Sequence, residues 1–172
     1  KVKGERYTFE QTLSVKSPVL WELDHPYLYR LVTNVYADSR LTDTYITPVG
    51  LRSIRFDKDK GFFLNGRHVK LKGVCLHHDL GPIGVAVNTR AIERQLQMMQ
   101  EMGCNAIRTA HNPPTPELLD LCDRMGLLVQ VEAFDEWKIG KNQNGYNRLF
   151  EKWAERDLQA MIRRDRNHPS VI

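Results

Sequence analysis

Apolar residues change their spacing about a third of the way along the chain. Through residue 57 they alternate with polar residues or gather in short runs rich in Val, Thr, Leu and Tyr. Beyond it, blocks of consecutive apolar residues are separated by stretches with helical spacing. Residues 7–15 alternate apolar and polar side chains, the pattern of a half-buried strand. Residues 27–36 and 45–51 predict two more strands, with the turn-prone Ala37-Asp38-Ser39 between them. None of these segments has the 3.6 period of a helix. Short strands at this spacing indicate part of a β-sandwich, and the region is too short for seven strands.

A polar break at residues 57–61 sets the expected boundary, with one unit at 1–57 and a second at 58–172. Residues 62–69 read as a hairpin in which Asn65-Gly66 supplies the positive φ values of a type I′ turn. Three apolar runs follow, at residues 69–76, 105–109 and 127–131, and each ends in a knot of polar side chains. Between the first and second runs, Thr89 is the expected cap of a helix with Ile92, Leu96 and Met99 on one face and Gly103 at its end. Between the second and third, Thr115 caps a helix that starts at Pro116, carries Leu118, Leu119, Leu121, Cys122 and Met125, and closes at Gly126. The third run reads as a strand covered on both faces. A last helix is expected over 147–166, with Leu149, Phe150, Trp153, Leu158, Met161 and Ile162 as its buried stripe. Val171-Ile172 would open a fourth strand.

Strand, knot, helix, repeated three times, is the rhythm of βα units in a parallel sheet. The fold class is therefore α/β, with three βα units on a parallel sheet; the resemblance given below implies that they are the first three of a partial (β/α)₈ TIM barrel. A complete barrel takes about 250 residues. Parallel neighbours would put all three knots on one face.

Composition narrows the reading only a little. Of 172 residues, 41 % are hydrophobic, enough for a globular core. The net charge of +4 comes from 25 basic and 21 acidic residues scattered with alternating sign, and no basic stripe or binding motif speaks for nucleic acid. No stretch of 18 apolar residues exists, so no membrane helix is expected. Cys75, Cys104 and Cys122 lack metal spacing and read as inert core thiols. A start at Lys-Val-Lys-Gly inside a strand-like region suggests a piece of a longer chain.

The chemistry lies in the knots. His77-His78-Asp79 offers imidazoles suited to a metal, a proton or sugar hydroxyls, and strand alternation favours His77 as the one facing the cleft. In Arg108-Thr109-Ala110-His111-Asn112, the guanidinium fork could orient a carboxylate or anchor local backbone, with His111 one step away. Glu132 follows an apolar strand, where a carboxylate is costly unless paired or used, and Arg108 is its expected partner. Asp135, Glu136 and Trp137 follow, and an aromatic ring beside carboxylates suits the apolar face of a sugar. A structural Arg–Glu pair, with Trp137 as packing, is the alternative.

Several stretches carry a resemblance. They are Pro18-Val-Leu-Trp-Glu-Leu-Asp-His-Pro-Tyr-Leu-Tyr29, Val49-Gly-Leu-Arg-Ser-Ile-Arg55, Phe63-Leu-Asn-Gly66 and Leu71-Lys-Gly-Val74. The series continues through Asn105-Ala-Ile-Arg-Thr-Ala-His-Asn-Pro113, Leu121-Cys-Asp-Arg-Met-Gly126 and Arg164-Asp-Arg-Asn-His-Pro-Ser-Val-Ile172. The ordered series resembles glycoside hydrolase family 2, and most closely its bacterial β-galactosidases. The resemblance implies an immunoglobulin-like β-sandwich over 1–57, followed by the amino-terminal part of a TIM-barrel catalytic domain. It implies retaining hydrolysis of terminal β-galactosides, with a β-galactoside oligosaccharide or glycoconjugate as substrate.

By matching position, His77, Arg108, His111 and Glu132 look like active-site polar residues, with Asn112, Asp135 and Trp137 as further substrate-binding candidates. No cofactor is required, although Glu132 matches a glutamate that in some members helps to hold Mg²⁺. The chain departs from the family at Val131-Glu132, where Asp-Glu is common, and at Cys75-Leu76-His77-His78-Asp79, where many members have Asn-Arg-His-Glu. The acid/base and nucleophile glutamates are expected after Ile172, so the piece alone is expected to be inactive and to self-associate through an open sheet edge. A β-glucuronidase or β-mannosidase of the same family is the alternative, with a non-catalytic carbohydrate-binding module behind it.

Overall fold

The computed structural model describes Gly4 and residues 7–172. Strands β1 (Tyr29–Ala37) and β2 (Arg40–Val49) form an antiparallel ribbon. It turns at Asp38 and Ser39, both at positive φ. The second strand starts earlier than its Val- and Thr-rich stretch predicts, because cross-strand polar contacts such as Thr44 Oγ1 to Asn34 Oδ1 (2.9 Å) extend the pairing. Strands β3 (Ile54–Asp57), β4 (Gly61–Leu64) and β5 (Arg67–His68) make a second antiparallel sheet. The polar stretch 57–61 is the β3–β4 turn, where Asp57 accepts the N–H groups of Asp59 and Lys60. Asn65 and Gly66 turn β4 into β5 with φ of 50° and 79°.

The third sheet is parallel, in the order β6 (Gly73–His77), β7 (Ala106–Ala110), β8 (Leu128–Gln130). Val171 bridges in parallel to Val129 on the far side of β8. Helix α1 (Thr89–Glu101) links β6 to β7, α2 (Pro116–Met125) links β7 to β8, and α3 (Asn147–Asp165) follows β8. Pairing sets Gly73, Ala106 and Leu128 in one row and Cys75, Arg108 and Gln130 in the next. With a side-chain period of two, these rows share a face. Leu76, Ile107 and Val129 point the opposite way, into a core with Ile92, Leu96, Leu118, Leu119, Leu121 and Cys122 from α1 and α2.

The lower row closes against the amino-terminal part of the chain. Trp21 is fully buried with Phe62, Leu64, Ala106 and Leu128, and its Nε1 donates to the Asp123 carbonyl at 2.7 Å. Gly126, at φ 75°, ends α2 in the left-handed region, and a Cβ there would overlap the Leu23 carbonyl.

Several expectations are corrected. Residues 7–15 are not a strand: they are exposed, and no described strand pairs with them, so their backbone gains nothing from the alternation. The cap of α1 is Asn88, whose side chain accepts the Ala91 N–H at 2.9 Å, while Thr89 lies inside the helix. Thr115 does cap α2 by position, though its hydroxyl makes no capping bond. The stripe on α3 is not buried: Leu149 and Ile162 are half exposed, and among the described residues only Asp165 of that helix is buried. The third apolar run is not covered on both faces throughout, because Gln130 turns to the exposed face of the sheet. Cys75 is likewise exposed on that face, and only Cys122 is a fully buried thiol.

Candidate active-site rim

Alternation carries the exposed face upward from the row Cys75–Arg108–Gln130 to His77 at the end of β6 and Glu132 two residues past β8. The side chains converge there. Arg108 Nη2 lies 2.7 Å from Glu132 Oε2, and its Nη1 donates to Cys75 Sγ at 3.2 Å. His111 Nδ1 is 3.2 and 3.3 Å from the two Glu132 oxygens. The Glu132 N–H donates to the Thr109 hydroxyl at 3.1 Å, which fixes the backbone from which its carboxylate rises. His77 meets His111 edge to face, with ring centroids 5.2 Å apart. The Ala110–His111 peptide is cis. The hydrogen bond to Cys75, followed by the Glu132 charge, holds the Arg108 pKa above its ordinary value.

Beside the rim, Asn112, Phe134, Asp135, Asn142, Tyr146 and Asp157 line a cavity of about 430 Å³. Lys141 Nζ lies 3.0 Å from Asp135 Oδ1. That bond, with the Lys141, His111 and His77 charges behind it, holds the Asp135 carboxyl below the usual carboxylate range. Burial and the hydrogen bond that it donates to Asp157 Oδ2 at 2.6 Å push the Tyr146 phenol up to about 12, so it keeps its proton.

The structure thus brings His77, Arg108, His111 and Glu132 together, with Asp135 and Asn112 at the edge. It does not bring Trp137, whose indole is 68 % exposed and stacks on Phe150 of α3 with centroids 5.9 Å apart. His78 turns away to the Val85 carbonyl at 2.8 Å. The sequence reading missed Cys75 as a neighbour of Arg108, and it missed Lys141. The alternation from His77 back to Cys75 was a usable signal for the first; the Gly- and Asn-rich loop around Lys141 offered none.

Residues 56–172 match the family model described as "Glycosyl hydrolases family 2, TIM barrel domain", and residues 1–52 match "Glycosyl hydrolases family 2". The chain belongs to glycosyl hydrolase family 2. The parallel sheet and its helices fall in the barrel domain of family 2, and the β1–β2 ribbon in its preceding domain. A family relative named beta-galactosidase BoGH2A, from Bacteroides ovatus, is 60 % identical over 169 residues, covering 98 % of this chain and 20 % of that protein. A beta-glucuronidase from Bacteroides fragilis is 35 % identical over 92 % of this chain and 23 % of its own length. The crystal structure of a family 2 member from Bacteroides cellulosilyticus aligns with a TM-score of 0.88 at 46 % identity, over 92 % of this chain and 20 % of that one. The chain spans about a fifth of the length of these proteins.

The family resemblance brought Mg²⁺ to Glu132, and the donors present do not suit it. Mg²⁺ demands octahedral oxygen ligands. Around Glu132 stand a guanidinium, an imidazole and, behind them, a thiol, and both carboxylate oxygens are already engaged. No step is assigned to a metal here.

Proposed function

We propose that this chain is part of a retaining glycosidase that removes terminal β-galactosyl residues, and that His77 and His111 bind the terminal sugar while Arg108 orients the nucleophile. The observation that carries the reading is the Arg108–Glu132–His111 triangle, with His77 against it, at the carboxyl ends of adjacent parallel strands. Active sites of TIM barrels sit on that face. Glu132 holds the rim, since Arg108 and His111 occupy its oxygens.

Retaining hydrolysis needs two carboxyl groups about 5–5.5 Å apart across the scissile bond. Glu132, Asp135 and Glu136 are each tied to cations or backbone N–H groups, which supports placing the acid/base and the nucleophile beyond residue 172. On this reading residues 1–172 form a supporting wall and are inactive alone, no cofactor is needed, and the ribbon β1–β2 belongs to an immunoglobulin-like sandwich completed elsewhere in the protein.

The beta-glucuronidase relatives favour a second reading, in which the sugar is a uronate. A uronate carboxylate calls for a cation. Near the rim, Lys141 is paired with Asp135, while the carboxylates of Asp135, Glu136 and Asp157 line the adjoining cavity. That balance supports a neutral sugar.

The test is Arg108→Ala in the full-length protein. kcat/KM on aryl β-galactosides is expected to fall more than tenfold, about 1.4 kcal/mol of transition-state stabilisation. A smaller loss removes Arg108 from the catalytic machinery. Faster cleavage of aryl β-glucuronides by the unaltered protein would decide for the second reading.

A further inference from the structure

The loop between β8 and α3 folds around one buried carboxylate. Glu136 is 3 % exposed, and among the described residues no Lys, Arg or His side chain pairs with it. Its charge is met by backbone N–H groups instead: Lys141 N–H on Oε2, Asn147 N–H on Oε1 at 3.2 Å, and a further bond from Asn142. Asn147 is the first residue of α3, where the helix dipole favours an anion. Hydrogen bonds of this kind, to a charged acceptor out of water, are among the strong ones. Gly145 lies directly against the carboxylate, and a Cβ there would overlap Glu136 Oε1. Because the carboxylate is tethered by N–H donors, it cannot move aside without giving them up.

The closed loop returns Lys141 to Asp135, 3.0 Å from Oδ1. Asp135 lines the cavity beside the rim together with Asn112, and lies within electrostatic reach of His77 and His111. Glu136 itself meets none of the rim side chains. What its anchoring fixes is where Asp135 and Lys141 stand relative to the two imidazoles.

We propose that Glu136 is a positioning residue for sugar binding, its buried carboxylate holding the loop 137–146 so that the Asp135–Lys141 pair is set at the edge of the rim. The proposal rests on the glycosidase reading above. A group that places hydrogen-bonding partners for the bound sugar contributes to the ground state as much as to the transition state, so its loss is read in KM more than in kcat.

The experiment uses the full-length protein and an aryl β-galactoside. Glu136→Gln keeps the side chain's size but turns an NH₂ toward N–H donors. KM is expected to rise about tenfold while kcat stays within about threefold. Gly145→Ala expels the same carboxylate and gives the same shift, and the double variant is no worse than either single one, since both break one device. Lys141→Ala frees Asp135 and leaves the backbone donors in place, raising KM by about threefold. KM within about twofold of the unaltered protein in both Glu136→Gln and Gly145→Ala overturns the proposal, as does a lowered Tm with unchanged KM. Additive effects in the double variant overturn it too. If Glu136→Gln does not fold, Gly145→Ala and Lys141→Ala decide, and unchanged KM in both is the refuting result. Activity lost in Arg108→Ala but unaltered in Glu136→Gln sinks this inference alone. A full-length protein that cleaves neither galactosides nor glucuronides sinks the reading beneath it.

Discussion

Asp123 joins three segments that lie far apart in the chain. Its Oδ1 accepts the Ser170 N–H at 3.0 Å, its Oδ2 faces His168 Nδ1 at 2.6 Å, and its carbonyl accepts Trp21 Nε1. The hydrogen bond to Asp123, with the charges of Asp123, Asp120 and Asp165, raises the His168 pKa. A raised folded pKa contributes stability that is complete below the unfolded value, about 6.5, and is lost as pH climbs through the folded one. The Tm difference between the full-length protein and its His168→Gln variant is therefore expected to be largest near pH 6 and to narrow toward pH 9. A difference that grows with pH would show that His168 takes up no extra proton on folding. At this scale the sequence exposed Arg108, His111 and Glu132, because a polar group ending an apolar strand stands out. It hid Glu136 as an anchor, since a carboxylate satisfied by backbone N–H groups leaves no partner residue to read.

Elements whose pattern and partner agree were legible. Helix α2 has Thr115, Pro116 and Gly126 at its ends and a sheet beneath it, and the prediction and the structure coincide there. The failures share a cause: amphipathic spacing states which face wants cover, not whether cover is present. Residues 7–15 have the alternation of a strand without a described neighbour, and α3 has a stripe left half exposed at Leu149 and Ile162. Capping fails differently, because Asn88 and Thr89 are adjacent good caps and only geometry chooses. Asn88→Ala is expected to cost about 1 kcal/mol, read as lost hydrogen-exchange protection in the first turns of α1. Thr89→Ala should cost less than about half of that. Equal costs would return the cap to Thr89.

For the molecule as a whole, cover is uneven. The core between the parallel sheet and α1 and α2 is buried, while the β1–β2 ribbon exposes Leu31, Val32, Val35, Tyr36, Leu41, Tyr45 and Ile46. An isolated two-stranded ribbon is marginal in water, and an apolar surface of this extent seeks a partner. Residues 1–172 made alone are expected to self-associate, through this ribbon or the free edge of β6, and sedimentation velocity should show oligomers growing with concentration. A monodisperse monomer at tens of micromolar would count against it.

Trp21 comes from the segment matched by one family model, and the hollow it fills, between Phe62, Leu64, Ala106 and Leu128, comes from the other. Neither segment owns a finished interior. Exchange of the leading segment between cousins therefore succeeds only when lock and key are inherited together. A graft that brings a smaller residue in place of the indole leaves a void at the junction of the two segments, away from the rim, and the expected damage is a shorter lifetime of the folded protein.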